Sequence, residues 1–242
     1  MRKTARVASF PTLPVVKMSE PVKMFRLARE SSSVFSPHGN ARIIYKTFNS
    51  SKSREIDEER GRLRGGNRFN DGTRGAWYCA LDSNTAIAEV AYHWTRIIKD
   101  GYGYEPDADG VEIIFQELLA RFVGLFHDAR GLPRDKGVLG TEPDLAYPLA
   151  RGLARKIIAK GGRGIIYPSV RRPKGVCLAA FYPQTVQKLQ FGDRWKLSWN
   201  ESLEYKAEKM EEEQKNPVPD VYPDGSYSWN DDFTDSIGIS TT

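Results

Sequence analysis

Two cysteines in 242 residues leave no material for a disulfide framework. Cys79 in "AWYCAL" and Cys177 in "GVCLAAF" each sit inside an apolar, strand-like run, where a thiol behaves as a small hydrophobe. Histidine is nearly as scarce: His38, His93 and His127 are the only three, and they are scattered. A structural zinc site draws on about four closely spaced ligands, so none is expected. Glu89 and His93 stand four apart, on one side of a helix, but two ligands make a thin metal signal. Long hydrophobic runs are also missing. Nothing approaches the roughly 20 apolar residues that span a bilayer, and the start "MRKTARVASFPTLPVV" lacks the continuous apolar segment of a secretory leader. The expectation is a protein made in the cytoplasm, with no membrane partner.

What is present is ordinary globular composition, 40% hydrophobic, 11% aromatic and 28% charged, at a length sufficient for one sizeable core. The net charge of +5 is unevenly spread. Residues 1–75 carry 16 Lys/Arg against 7 Asp/Glu, whereas residues 201–242 carry 3 against 11. A basic front half suits an anionic ligand, a nucleic acid or an acidic partner. No helix-turn-helix, zinc-finger or aromatic RNA-binding signature accompanies it, so direct nucleic-acid contact is not expected. A solvated surface with an acidic tail is the plainer alternative, above all for the charged loop "SSKSREIDEERGRLRGG".

Along the chain, no internal repeat is visible. Residues 1–21 hold three prolines and read as an extended arm; 22–205 read as the folded domain; 206–242 read as an acidic, disordered tail with at most a short helical start. "VKMFRLA" (22–28) alternates like a first strand, "ARIIYKTF" (41–48) like another extended piece, and "GAWYCAL" (75–81) like a buried strand. "DSN" then offers helix-capping oxygens, and Ile87, Val90, Ala91 and Trp94 fall on one helical stripe with Glu89 on its flank. "GVEIIFQELLARFVGLF" (110–126) predicts two strands or one broken strand. A second helix is predicted over 144–162, with Leu149, Leu153 and Ile157 four apart, Pro148 in its first turn and a Gly-Gly stop. Strands are predicted at "GIIYPS" (164–169), "GVCLAAFY" (175–182), "VQKLQF" (186–191) and "RWKLSW" (194–199). Strands at both ends with helices between imply an α+β domain, a mixed β-sheet core with flanking helices.

Two stretches carry unusual chemistry. In "RGGNRFNDGTRGAWYCALDSNTAIAEVAYH", loop, strand and helix bear Arg68, Tyr78 and Glu89 in succession. In "RGIIYPSVRRPKG", an apolar strand ends at Tyr-Pro-Ser, so Ser169 is presented at a strand terminus, as a functional hydroxyl or as a turn serine capping its own backbone. Arg171 and Arg172 flank it and could assist with a phosphate. Arg26 lies in the first predicted strand. Each residue has a plainer role to weigh: Arg26 as a surface arginine, Glu89 as a partner of Arg96, Tyr78 as core packing, and Trp77 as core rather than site.

The first stretch resembles the core signature of the RES domain, which is named for an arginine, a glutamate and a serine. That signature has a Gly-rich segment around Arg-[Trp/Phe]-Asn, a strand with a tyrosine, and a helix with Ala-x-x-Glu. "GRGIIYPSVRRPKGVCLAAF" resembles the later serine block, and "MFRL" occupies the place of the opening Tyr-Arg strand; the resemblance covers roughly residues 22–192. Phe25 stands where an aromatic hydroxyl is frequent, and Phe69 where many relatives have tryptophan.

The resemblance implies a toxin of a toxin–antitoxin pair with an ADP-ribosyltransferase-like fold. Such a toxin degrades NAD⁺ at the nicotinamide–ribose bond by hydrolysis or phosphorolysis, with NAD⁺ as substrate and no metal or other cofactor. Carried over, the catalytic residues are Arg68, Glu89 and Tyr78, and the NAD⁺-binding residues Arg26, Arg68, Tyr78 and Ser169. An Xre-like antitoxin, or an immunity protein if the enzyme is secreted into a rival cell's cytoplasm, is the implied partner. Transfer of ADP-ribose to a macromolecule is the enzymatic alternative, and a basic nucleic-acid-binding module the non-enzymatic one.

Overall fold

A computed structural model of the chain describes residues 12–18, 24–29, 44, 54–57, 62–99, 110–211, 220–221 and 227–228. Its elements in chain order are β1 (Val15–Met18), β2 (Met24–Arg29), β3 (Arg54–Asp57), β4 (Arg62–Gly65), β5 (Trp77–Ala80) and helix α1 (Ser83–Lys99). These are followed by β6 (Val111–Phe122), β7 (Gly124–Asp128), helix α2 (Pro143–Ala159), β8 (Gly164–Pro168), β9 (Val176–Ala180), β10 (Val186–Trp199) and β11 (Tyr205–Lys209). Two short strands, β12 (Asp220–Val221) and β13 (Tyr227–Ser228), pair with each other.

Nine strands form one mixed sheet in the order β1-β7-β8-β9-β5-β2-β6-β10-β11. Every neighbouring pair is antiparallel except β7 and β8, which run parallel and are joined through α2. That connection obeys the general need of parallel strands for a crossover, usually a helix. The class is therefore α+β, with a mixed sheet and, among the described residues, two long flanking helices.

Period-two alternation sorts the strands' side chains onto two faces. Ile113, Phe115, Ile165, Tyr167, Cys177 and Ala179 face the helices and pack with Ile87, Ala91, Ile98, Leu153 and Ile157. Trp77, Cys79, Leu118, Phe122, Phe126, Ile166 and Leu178 form a second core on the opposite face. In α1 the expected stripe holds, with Ile87 and Ala91 buried and Val90 and Trp94 packed against the core.

In α2 the stripe is rotated from the expected one. Ala146, Ala150, Leu153, Ala154 and Ile157 are buried, while Leu149 is 38% exposed, because the helix lays its small alanines on the sheet. Pro143, not Pro148, occupies the first turn; Pro148 lies inside the helix, where its ring removes one amide donor from the ladder.

Other expectations need correction. The charged stretch before Gly66 is not a bare loop: β3 and β4 pair as a hairpin, Arg54 opposite Gly65 and Asp57 opposite Arg62. "VQKLQF" and "RWKLSW" are one strand, β10, whose two register shifts against β6 accommodate the polar interruption between them. Residues 110–126 do form two strands, parted at Val123. The expected arm contributes β1 to the sheet edge, and the segment opening the expected tail is strand β11 rather than a helix. In "ARIIYKTF" only Ile44 is described, and it is helical, not extended; the rest of that stretch, residues 1–11 and most of the acidic tail lie outside the described residues.

Phe126, fully buried and edge-on to Phe122 at 6.3 Å between ring centroids, anchors the core on the face away from the helices. Phe126→Ala is expected to lower the unfolding free energy by about 3–5 kcal/mol. Urea denaturation measures it, and a loss below about 1 kcal/mol would show that this face can collapse around the vacancy.

Candidate active site

The helix-facing side of β5, β8 and β9 opens into a cavity between α1 and α2, lined among others by Arg26, Arg68, Tyr78, Glu89, Tyr147 and Arg171. Each arrives there for a local reason. Glu89 sits on α1, whose start is fixed by Asp82: its carboxylate accepts the Thr85 backbone amide at 2.9 Å and the Thr85 hydroxyl at 2.7 Å, the usual chemistry of a helix N-cap. Arg68 lies in the tight loop following β4. Gly66 holds a left-handed backbone there (φ 84°), and a Cβ at that position would collide with the carbonyl of Asn70.

Tyr78 ties loop to strand. Its hydroxyl donates to Asn70 Oδ1 at 2.8 Å and accepts the Phe69 amide at 2.9 Å. Burial pushes its phenol far above the ordinary range. The group is therefore a fixed neutral bridge, with its ring against the cavity. Asn70, fully buried, completes the loop by donating to the Arg74 carbonyl at 2.9 Å.

The Arg68 guanidinium is itself anchored. Nη1 donates to the carbonyls of Val138 (2.9 Å) and Gly140 (3.0 Å), and the group lies 5.2 Å from the Tyr147 ring centroid. One nitrogen is thus committed to the chain while the group faces the cavity. Arg151, from the next turn of α2, adds a bond to the Asn67 carbonyl at 3.0 Å.

Ser169 is wholly buried, and its hydroxyl donates to Glu89 Oε1 at 2.6 Å while accepting the amides of Arg171 (3.1 Å) and Arg172 (3.0 Å). It does not line the cavity. Its hydroxyl instead meets the carboxylate that does face the cavity. Gly175 permits the arrangement: a Cβ there would stand 2.7 Å from Thr85 Oγ1 and 3.1 Å from the Ser169 Cβ, against side chains with no room to move.

Arg172 lies outside the cavity, its guanidinium on Asp82 Oδ1 and Thr85 Oγ1, both at 3.0 Å. Arg134, missed in the sequence because it stands in no motif, grips the same turn through the carbonyls of Ser169 (2.8 Å) and Arg172 (2.9 Å).

Arg26 comes from elsewhere. In register with Leu118, it shares Trp77's side of the sheet, 5.5 Å from that ring. It reaches the cavity where β2 and β5 part after one residue pair, Phe25 with Ala80. Nη1 donates to the Tyr78 carbonyl at 2.7 Å, and burial lowers the guanidinium to about 10, still cationic at neutral pH.

Sequence reasoning also passes over Tyr147, Tyr167 and His93 as wall residues; α2, β8 and α1 are legible in the sequence, but which of their side chains meet across the cavity is not. Cys177 adds a weak thiol contact to Glu89 Oε1 at 3.7 Å, and burial holds the thiol well above its ordinary range. Among the described residues, no three His, Cys, Asp or Glu side chains cluster as a metal site, and no helix is long and apolar enough to cross a membrane.

His93 lines the cavity with its ring open to the cavity space yet walled by protein. Burial first, then the charges of Arg171, Arg96 and Arg68, lower its imidazole to about 4. The unfolded chain binds that proton near pH 6.5, so between pH 6.5 and 4 the unfolded state holds more protons and stability falls as pH falls. His93→Gln should flatten this acid limb in urea titrations; an unchanged limb would remove His93 as its source. Tyr78→Phe should cost about 1–3 kcal/mol, since it strands the Phe69 amide and leaves Asn70 Oδ1 with the longer bond from the Asn67 amide; a change below about 0.5 kcal/mol would show that water replaces the hydroxyl.

Comparison with known proteins bears on this geometry. The RES domain family matches residues 42–200. No curated protein matches the chain. Among solved structures, that of the M. tuberculosis MbcT–MbcA toxin–antitoxin complex is similar at a TM-score of 0.42 and 15% identity, over 77% of this chain and 88% of that one. With the family's residues spanning the loop, strand, helix and serine turn that build the cavity, the chain belongs to the RES domain family.

Proposed function

We propose that this protein is an enzyme that degrades NAD⁺ by cleaving the nicotinamide–ribose bond, and that it acts as a toxin. The observation that carries the reading is the cavity itself: a carboxylate held by a serine faces the same space as anchored guanidinium groups, between tyrosine walls. NAD⁺ presents matching groups. Its diphosphate is recognised by guanidinium groups, and its ribose becomes a cation as the bond breaks.

The nicotinamide leaves as a neutral base from a positively charged pyridinium, so the leaving group needs no acid. The barrier lies in the oxocarbenium-like ribose, and a preorganised anion lowers it. Glu89 takes that role, fixed by Ser169 rather than free to swing. Arg68 holds a phosphate oxygen with the nitrogens not committed to Val138 and Gly140, and Tyr78 presents its ring to the base while its hydroxyl fixes the loop. Water or inorganic phosphate then takes the ribose from the opposite side. Arg26, buried at the strand gap, contributes positive potential.

An enzyme that drains NAD⁺ inside its producer must be restrained. An antitoxin, or an immunity protein where the toxin is delivered to another cell, is the partner this reading carries, and the solved relative named above was crystallised with an antitoxin.

Incubation of the pure protein with NAD⁺ should release nicotinamide. Arg68→Ala and Glu89→Ala should each reduce turnover by about two orders of magnitude or more, the usual worth of preorganised charge in a transition state. Full turnover in both variants would reject the site, and labelled ADP-ribose retained on a macromolecule would favour transfer over hydrolysis or phosphorolysis.

A further inference from the structure

The three arginines that line the cavity are not equivalent. Arg26 donates Nη1 to the Tyr78 carbonyl, and Arg68 donates Nη1 to two carbonyls. The guanidinium of Arg171 makes no hydrogen bond or ion pair among the described residues. It lies over the Tyr92 ring, 3.3 Å from the centroid, and lines the cavity. Stacking orients the plane without consuming a single N–H, which is the arrangement suited to paired hydrogen bonds with an oxyanion.

Its backbone is equally fixed, because the Arg171 amide donates to Ser169 Oγ, the same oxygen that holds Glu89. The neighbouring arginine is excluded from this role, since Arg172 is spent on Asp82 and Thr85.

We propose that Arg171, presented by the Tyr92 ring, is the residue that captures the phosphate-type oxyanion in this cavity and so selects phosphorylated substrates over nucleosides. Arg68, with one nitrogen committed to Val138 and Gly140, then supplements that hold with its remaining donors, and Arg26 adds positive potential from the strand gap. Selection arises because the turn that orients the catalytic carboxylate also carries the anion fork. An oxyanion seated on Arg171 is thereby placed at a set distance from Glu89. The inference rests on the NAD⁺-cleaving reading for its substrate, but its binding half does not need turnover.

The oxyanion has two possible sources, the diphosphate of the dinucleotide or free inorganic phosphate acting as acceptor. The experiment compares the intact protein with Arg171→Lys, Arg171→Gln and Tyr92→Ala, each checked for an unchanged thermal midpoint. Calorimetry with inorganic pyrophosphate should show affinity lowered about 10- to 100-fold in Arg171→Gln, the worth of a charge-assisted pair, and by less in Arg171→Lys and Tyr92→Ala.

The KM for NAD⁺ should rise by a similar factor. Nicotinamide riboside, which keeps the scissile bond but lacks phosphate, should be cleaved by Arg171→Gln within about twofold of the unaltered protein, as no paired bond is lost. Loss of phosphate stimulation with an unchanged KM for NAD⁺ assigns the oxyanion to the acceptor and supports capture by Arg171. Pyrophosphate affinity and KM both within about twofold of the unaltered protein in Arg171→Gln would overturn the inference. Pyrophosphate binding that depends on Arg171, in a protein that never cleaves NAD⁺, would uphold the inference and sink the proposed function instead.

Discussion

One buried hydroxyl organises the site. Ser169 Oγ gives its proton to Glu89 and takes two backbone amides in return, so a single oxygen is saturated on every side. Such a group is costly to disturb, because removal of the oxygen strands two backbone amides and leaves Glu89 with only the weak thiol contact of Cys177. The strand end, the turn and the helix are locked into one register by that atom. Arg134 and Arg172 reinforce it from outside, one on the turn's carbonyls and one on the helix cap. The ion pair of Arg172 with Asp82, about two-fifths exposed on both sides, is worth little as charge attraction; it matters as geometry, since Asp82 also starts the helix that carries Glu89.

The same economy governs the arginines. Basic residues are expected to meet an anionic ligand, and several meet carbonyl oxygens as well. Arg68, Arg26, Arg134 and Arg151 each close a loop or strand end through main-chain acceptors. A guanidinium is well suited to this work, since its planar fork satisfies two carbonyls at once and never loses its charge at neutral pH. The result is a cavity whose walls are positive because of how they are built. Its field follows from the scaffold, and it adds to the burial that lowers the His93 imidazole.

Much of the fold was legible. The strands at 77–80, 164–168 and 176–180 and helix α1 announce themselves through apolar runs, turn residues and a capping aspartate. Arg26, Arg68, Tyr78 and Glu89 could be named as cavity residues from the RES resemblance, but their division of labour could not. Nothing local says that Ser169 is wholly enclosed or that the Tyr78 hydroxyl is spent on the loop, because both facts depend on pairings 80 and 8 residues apart. Leu149 was misplaced for a related reason: a stripe of leucines outweighs one of alanines on any hydrophobicity scale, yet the close approach of α2 to the sheet favours the smaller side chains. The polarity of the charged stretch before Gly66 suggests a loop and masks the pairing of a hairpin.

The strands β7 and β8 form the one parallel pair among the described strands. Parallel neighbours point their carboxyl ends the same way, and in open α/β sheets ligands gather at such ends. Here the segment leaving β7 brings Arg134 and the carbonyls that seat Arg68, while the segment leaving β8 brings Ser169. The return from α2 into β8, at residues 160–163, lies at the other pole. The two poles thus divide the unit's evolvable length: additions at 160–163 lengthen a connection remote from chemistry, whereas a single residue gained between 129 and 140 shifts both the seat of one cation and the clamp on the acid's serine.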